Sequence, residues 1–183
     1  MVLRFFDLLI SIIGLLVCMP IFIVLFIACF IDTQDPIFLQ IRLGKNKVPF
    51  TIFKFRTMKH GTPNIATHLV EANHITRLGK FLRKYKFDEL PQLLNVFIGN
   101  MSMVGPRPCL IDQTKLISER DVLGVFSVKP GITGLAQLNG IDMEDPVQLA
   151  ITDKEMLNSL NLLSYMSYVG YSSFRFFFRN PYL

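Results

Sequence analysis

The N-terminal part of the chain is a continuous apolar stretch, whereas the rest alternates between apolar and polar positions. Residues 8–31 are 24 positions without a charged side chain, which is enough for a helix to cross a bilayer. A cleaved signal peptide would need a basic leader, a shorter apolar core and a small-residue cleavage site. Because Arg4 is offset by Asp7 and residues 32–35 offer no such site, the pattern favours a retained membrane segment.

Pro20 lies near the middle of this apolar stretch. A proline there removes a backbone hydrogen bond and bends the helix, and in lipid the freed carbonyl needs another partner. Two arrangements are open: a kinked helix that spans the membrane, or a helix that turns back and leaves on the side it entered. The nearly neutral N-terminal flank does not choose between them.

After the apolar stretch, the pattern predicts a small β-hairpin. Residues 36–58 form two extended pieces around a polar turn at residues 44–47. Lys54 and Arg56 are two positions apart, so they lie on one face of the second strand. Residues 59–73 are polar and rich in helix breakers, which predicts a loop.

Helices are predicted in the rest of the chain. Residues 75–86 place apolar side chains at helical spacing and basic ones elsewhere, which is typical of a helix on a membrane surface or of a core helix with a solvated face. Residues 90–98 and 149–163 predict two more helices. Residues 165–183 combine aromatics with arginines, which suits either a membrane interface or a buried terminal helix. The fold class expected is α+β, mostly helical.

The charge distribution predicts on which side of the membrane the residues after the apolar segment lie. Residues 36–91 hold eleven Lys and Arg against three Asp and Glu, whereas the rest of the chain holds eight against eleven. Basic residues that follow a membrane segment remain in the cytoplasm and attract anionic headgroups or polyanionic substrates. We therefore divide the chain into a membrane anchor at residues 1–35 and a cytoplasmic, membrane-associated domain at residues 36–183.

The composition argues against several other kinds of site. Cys18, Cys29 and Cys109 form no CxxC pair, so neither a disulfide framework nor a zinc site is indicated. The three histidines have no metal-ligand spacing. The basic block follows a membrane anchor and carries no nucleic-acid-binding motif, so nucleic acid is not expected as a partner.

Asp88 and Glu89, at the start of the predicted helix at residues 90–98, are the main candidates for chemistry. Acids at a helix start often cap it, but an ionised carboxylate is also a competent nucleophile. Its neighbour can hold Mg²⁺, which prefers oxygen ligands and keeps waters and substrate phosphates in its shell. Arg83 and Arg107 are suited to neutralising a phosphoryl group. Spacing alone leaves both capping and catalysis open.

Four ordered motifs carry a resemblance that covers nearly the whole chain. They are Lys-Phe-Arg-Thr-Met at residues 54–58, Asp-Glu-Leu-x-Gln-Leu-x-Asn-Val at 88–96, Met-Ser-x-Val-Gly-Pro-Arg-Pro at 101–108, and Lys-Pro-Gly-Ile-Thr-Gly-x-Ala-Gln-x-Asn-Gly at 129–140. With them, the chain resembles the small monotopic phosphoglycosyl transferases, the minimal catalytic unit of the bacterial sugar transferase family.

This resemblance implies an enzyme with a defined reaction. It would transfer a sugar-1-phosphate from a UDP-sugar to polyprenol (undecaprenyl) phosphate and release UMP, with Mg²⁺ as cofactor. Asp88 matches the nucleophile that forms a covalent phosphosugar intermediate, and Glu89 matches the second acid of the dyad, with metal binding assigned to both. Arg107 and Arg83 match phosphate-binding arginines. The weaker matches within the same motifs are Lys54, Arg56 and Gln137.

The resemblance also implies a position in the cell. The family anchor is a re-entrant helix-break-helix, here broken at Pro20, which enters the bacterial inner membrane from its cytoplasmic face. Amphipathic interfacial helices would then hold the active site at the headgroups. The alternative is a catalytically inactive scaffold that binds the membrane surface through its basic helix.

Three positions depart from the family pattern and leave the sugar open. Met19 precedes Pro20 where the family often has serine, Leu135 replaces a frequent tryptophan, and Ile141 replaces a frequent arginine. N-acetylated amino or deoxy amino sugars are the expectation that the resemblance gives. The sequence leaves the glycoconjugate pathway and homo-oligomer formation open.

Overall fold

The computed structural model describes residues 2–62 and 74–178, and within them the chain is mostly helical. The helices are α1 (Val2–Thr33), α2 (Arg77–Lys84), α3 (Gln92–Ile98), α4 (Thr114–Val122), α5 (Leu135–Leu138), α6 (Pro146–Ser159) and α7 (Leu162–Phe178). The strands are β1 (Ile37–Leu43), β2 (Pro49–Phe55), β3 (Ser102–Val104) and β4 (Gly131–Thr133). The predicted mostly helical α+β class is confirmed. The predicted loop at residues 59–73 and the tail at 165–183 lie partly outside the described residues.

The predicted β-hairpin is confirmed as the antiparallel pair β1–β2. Its register places Phe38 opposite Lys54 and Arg42 opposite Phe50. The turn is a short 3₁₀ segment at Lys45–Lys47 in which Asn46 has φ of 54°, a conformation that asparagine tolerates better than most residues. The register places Gln40, Arg42 and Lys54 on the same face of the hairpin.

The second sheet, β3–β4, is parallel and was not predicted. Its two strands come from the Gly-Pro motifs at residues 101–108 and 129–140, and they approach unusually closely. A Cβ atom on Gly131 would lie 2.0 Å from the backbone nitrogen of Gly105, so no other residue fits there without a backbone shift. The Gly105 nitrogen donates to the Thr133 carbonyl at 2.9 Å. Two motifs distant in sequence are therefore joined through backbone contacts.

Both ends of helix α1 pack against the rest of the protein. Near its start, Arg4 donates to the carbonyls of Val96 (2.6 Å) and Phe97 (2.9 Å) at the end of α3. Near its end, the buried Cys29 packs with Phe55 and Leu82. The helix continues through Pro20 without interruption, so the helix break predicted at Pro20 is absent from the described residues. Most of its outer apolar side chains are exposed, and by length and composition it can cross a membrane.

Helix α2 confirms the predicted amphipathic helix with slightly shorter bounds. Thr76 caps it by accepting a hydrogen bond from the Gly79 nitrogen at 2.8 Å. Leu82 is fully buried against α1, whereas Phe81 stays half exposed. The helix thereby places Arg83 in its last turn, immediately before the Asp88–Glu89 segment.

Candidate active site

Asp88 and Glu89 lie in a 3₁₀ turn (Phe87–Glu89) between α2 and α3. Lys86 precedes this turn with a left-handed φ of 58°, which reverses the chain direction after α2. As a result both carboxylates point inwards, with only 8% of Asp88 and 9% of Glu89 exposed. Two adjacent acids that are this well buried need charged or hydrogen-bonding partners.

Glu89 has such partners. Its Oε1 atom accepts a hydrogen bond from Arg107 Nη2 at 2.6 Å and another from Lys54 Nζ at 3.1 Å. Burial by itself would raise the pKa of Glu89, but the charges of Arg107, Lys54 and Lys86 outweigh it and hold that pKa well below its ordinary value. Glu89 is therefore an ionised carboxylate that fixes two predicted phosphate-binding cations.

Asp88 has a different environment. Its Oδ1 atom is buried and has no hydrogen-bond partner among the described residues. Burial and the negative charge of Glu89 raise the pKa of Asp88, while Lys54, Lys86 and Arg83 oppose that rise. The predicted capping role is wrong: α3 begins only at Gln92, with Pro91 at its N-cap position and no side-chain cap. The carboxylate is thus left unsatisfied rather than used for the helix.

The backbone of Arg107 is fixed by contacts with other segments. It follows β3 and the tight Gly105–Gly131 contact, and its own carbonyl accepts a hydrogen bond from Arg120 Nη1 at 2.8 Å. Arg120 in turn donates to the buried Asp153 Oδ2 at 2.6 and 2.9 Å. Neither member of this ion pair is exposed by more than 2%. The Arg120–Asp153 pair was not predicted, because either residue looks like part of a solvated helix face in sequence.

Of the remaining predicted site residues, Arg83 and Arg56 line the same cavity, whereas Gln137 does not. Arg83 donates to Thr57 Oγ1 at 2.8 Å and lines the same cavity as Asp88. Arg56 also lines the cavity, but its guanidinium is paired with Asp35. Gln137 lies apart from this group, with its amide nitrogen 3.4 Å from the Gly105 carbonyl.

These side chains surround a cavity of about 220 Å³. Among the described residues, seven Lys and Arg but only two acids line it. The cationic residues are Arg42, Lys54, Arg56, Lys59, Arg83, Lys86 and Arg107. A cavity of this size with a large excess of positive charge is suited to a ligand that carries more than one negative charge.

Sequence reasoning missed several lining residues, above all Gln40 and Arg42 on β1. A signal was available, because these two polar positions alternate with apolar ones in an otherwise apolar strand and therefore share a face with Lys54 across the hairpin.

Asp88 and Glu89 are the residues that could hold a divalent cation, together with water and substrate oxygens. The described residues contain no group of three or more His, Cys, Asp or Glu arranged to hold a metal. Asp88 and Glu89 supply carboxylate oxygens, and the buried Asp88 Oδ1 lacks a partner. This donor set fits Mg²⁺, which usually retains waters and binds through one or two carboxylates plus phosphate oxygens.

Comparison with known proteins identifies the family. A family model described as bacterial sugar transferase matches residues 1–175. The chain belongs to the bacterial sugar transferase family. The predicted resemblance is thereby confirmed.

Individual relatives within the family are similar in sequence to most of the chain. An uncharacterized sugar transferase of Bacillus subtilis, EpsL, is 43% identical over 140 residues, which is 75% of this chain and 68% of the relative. The galactosyl transferase CpsE of Streptococcus agalactiae is 37% identical over 165 residues (81% and 36%). A UDP-glucose:undecaprenyl-phosphate glucose-1-phosphate transferase of Escherichia coli is 37% identical over 140 residues (73% and 30%). The chain spans only about a third of the last two relatives.

Proposed function

We propose that this bacterial sugar transferase moves a sugar-1-phosphate from a UDP-sugar to polyprenol phosphate, giving a polyprenyl-diphosphate-sugar and UMP. The observation that carries the proposal is the buried, unpartnered Asp88 carboxylate oxygen in a cavity lined by seven cations. The E. coli relative's name, which states glucose-1-phosphate transfer to undecaprenyl phosphate, supports the same reaction class.

In the first half-reaction, Asp88 is the nucleophile. A carboxylate oxygen attacks the β-phosphorus, the bond from that phosphorus to the bridging oxygen breaks, and UMP leaves with the electron pair. The raised pKa of Asp88 makes its ionised form a stronger nucleophile than an ordinary aspartate. Arg83 and Lys54 neutralise charge on the transferring group. Mg²⁺, held by Asp88 and Glu89 together with substrate phosphates, would supply further charge neutralisation.

In the second half-reaction, a phosphate oxygen of the lipid attacks the same phosphorus and expels the Asp88 carboxylate. Glu89 stays ionised throughout, because Arg107 and Lys54 hold its pKa low. Its role in this scheme is to keep those two cations at the phosphoryl group rather than to carry a proton.

We also propose that residues 1–35 form a re-entrant anchor that serves a single cytoplasmic catalytic unit at residues 36–183. This anchor would bend at Pro20 in the membrane, although α1 is continuous there in this structure. A helix that spanned the bilayer would separate its ends by about 30 Å of hydrocarbon. Here Arg4 contacts the end of α3 and Cys29 packs on β2 and α2, so both ends meet the same folded body. The basic residues of that body support a position on the cytoplasmic face of the bacterial inner membrane.

The topology can be tested by labelling in spheroplasts. Phe5→Cys and Ile31→Cys are introduced separately into a chain whose native cysteines are replaced, since both side chains are more than half exposed. We expect a membrane-impermeant maleimide to label neither position until the cells are permeabilised. Labelling of one position from outside would show a spanning helix.

The reaction itself is tested with the full chain in detergent, a panel of UDP-sugars, Mg²⁺ and undecaprenyl phosphate. We expect UMP release that Asp88→Asn abolishes, whereas Asp121→Asn, the same replacement at an exposed carboxylate, leaves it unchanged. Without lipid, the wild type should release about one UMP per protein and gain the mass of a phosphosugar, as a covalent intermediate requires. UMP release that survives Asp88→Asn would refute the nucleophile. No release with any UDP-sugar would favour a membrane scaffold.

A further inference from the structure

Arg42 is a partly buried cation of the cavity for which the scheme above has no role. It extends from the polar face of β1, and its Nε and Nη2 atoms donate to Gln40 Oε1. Its Nη1 atom donates to the Pro108 carbonyl at 3.1 Å. Within the described residues no carboxylate lies within ion-pair distance of it, unlike Arg107, Lys54 and Arg56.

The position of Arg42 makes it electrostatically unsatisfied. Burial is the largest cause that lowers the pKa of Arg42, to about 10, and the nearby charge of Arg107 lowers it further. Two neighbouring, partly buried guanidinium groups repel each other, and a bound anion relieves that repulsion. A guanidinium has five N–H groups, and the bonds to Gln40 and Pro108 use only three, so two are left for a ligand.

The cations of the cavity do not all interact with the same acid. Arg83, Lys86 and Lys54 interact with Asp88, whereas Arg42 interacts with Arg107 and Glu89 and is not among the charges that act on Asp88. Lys54 interacts with both acids. A diphosphate has two adjacent phosphoryl groups, so the cations that interact with Asp88 can meet the phosphate that Asp88 attacks and Arg42 can meet its neighbour.

We propose that Arg42, oriented by Gln40, binds the phosphate of the departing nucleoside monophosphate, which is the α-phosphate of the nucleotide sugar. This inference rests on the proposed function. When the bond between the β-phosphorus and the bridging oxygen breaks, that oxygen keeps the electron pair and the α-phosphate gains one negative charge. A planar guanidinium with two free N–H groups stabilises this charge directly.

The inference is tested by equilibrium binding, which does not require turnover. The probes are UMP and inorganic pyrophosphate, titrated calorimetrically into the full chain in detergent. We expect Arg42→Gln to weaken both by about tenfold or more, the size of a lost charge-assisted hydrogen bond, and Arg42→Lys to weaken them less. Lys47→Gln, which removes an exposed cation of the same hairpin, should bind as the wild type does.

A structural role for Arg42 through the Pro108 carbonyl predicts a different result. In that case Arg42→Gln acts only by moving Arg107, so it adds no loss of UMP affinity in an Arg107→Gln background. Direct binding predicts a further loss of UMP affinity in that background, although the two losses need not add because the residues are neighbours. Unchanged UMP affinity in folded Arg42→Gln, or no additional loss in the double variant, would refute the inference.

Kinetics separate this inference from the reaction proposal. Arg42→Gln should slow exchange of labelled UMP into UDP-sugar but leave transfer from a preformed phosphosugar intermediate to the lipid unchanged, because UMP has already left. A wild type that binds UMP in an Arg42-dependent way yet releases none from any UDP-sugar would refute the reaction while retaining the anion site.

Discussion

The guanidinium of Arg120 donates a 2.8 Å hydrogen bond to the main-chain carbonyl of Arg107. Arg120 comes from α4, and its other donors bind Asp153 on α6. Arg107, the predicted phosphate-binding arginine, is therefore held at its backbone by an ion pair that the cavity does not include. Arg120 is a positioning residue, whose effect on the reaction passes through Arg107.

Removing Arg120 should lower both stability and activity. Arg120→Met leaves the Asp153 charge buried without a partner, which costs about 3–5 kcal/mol in the free energy of unfolding, measurable by urea denaturation. The double variant Arg120→Met/Asp153→Leu should recover most of that stability, while UMP affinity remains low because the Arg107 carbonyl has lost its donor.

A matched control is Lys47→Ala, which breaks a half-exposed pair with Asp121 and should cost less than about 1 kcal/mol. Recovery of UMP affinity in the double variant would contradict the positioning role.

Neutralising Asp88 should raise the stability of the protein, whereas neutralising its neighbour Glu89 should lower it. Asp88→Asn removes a buried charge whose Oδ1 lacks a partner, so we expect Tm to rise by roughly 2–4 °C, the shift that about 1 kcal/mol produces in a domain of this size. Glu89→Gln leaves Lys54 and Arg107 buried without their shared carboxylate, so it should destabilise by about 3 kcal/mol. Thermal unfolding of the two variants in the same detergent checks both, and a lower Tm for Asp88→Asn would contradict this account.

The stability difference for Asp88 should depend on pH in a defined direction. Because the pKa of Asp88 is raised in the folded protein, the folded state binds its proton more tightly than the unfolded state does. Below the ordinary aspartate pKa of about 4 both states are protonated and the group has no effect. As pH rises through the folded pKa, the wild type loses stability relative to Asp88→Asn. Urea unfolding from acid to neutral pH, in buffer with a chelator, measures this difference. A difference that shrinks towards neutral pH would refute the assignment.

Tyr165 and Asp7 connect the last helix to the first. Tyr165 Oη donates to Asp7 Oδ1 at 2.7 Å, and the same oxygen accepts from Ser102 Oγ and the Met103 nitrogen, each at 2.8 Å. Tyr165→Phe should cost about 1.5–3 kcal/mol, as expected for a hydrogen bond to a charged group, and should increase hydrogen exchange at the Met103 amide. Tyr168→Phe, a partly buried tyrosine of the same cluster, serves as the control and should have little effect.

The contact between Gly105 and Gly131 predicts a sharp contrast between two glycine substitutions. Gly131→Ala would place a Cβ 2.0 Å from a backbone nitrogen, so we expect a loss of about 1–3 kcal/mol or more together with weaker UMP binding. Gly170→Ala in α7 meets nothing within 4 Å and should stabilise the helix by up to about 1 kcal/mol. Equal effects of the two substitutions on stability and on UMP binding would contradict a role for the strand contact.

The sequence predicted the elements whose periodicity is strong. Alternation in residues 36–58 identified the hairpin, and the spacing around Leu82 identified α2 and its buried side. The pair β3–β4 was missed because its strands are only three residues long and are joined by backbone contacts, which leave no side-chain pattern.

The sequence predicted which residues form the candidate site better than it predicted how they contact one another. Adjacent acids and flanking arginines pointed to Asp88, Glu89 and Arg107, but the capping role was wrong because the 3₁₀ turn separates Asp88 from α3. The Arg120–Asp153 pair depends on contact between α4 and α6, which no local pattern encodes. Family membership explains why the motifs co-occur, whereas the β3–β4 contact gives the physical reason for two of them.

The close approach of Gly105 and Gly131 has a consequence for synthesis. Chains emerge from the ribosome N-terminal part first, so the apolar helix and both acids of the site exist before residue 131 has been made. Until then β3 lacks its partner, and the Arg107 segment that follows it lacks part of its support. The nascent chain therefore contains both carboxylates before the adjacent arginine segment can gain the support of β4, which forms only after residues 131–133 have been made.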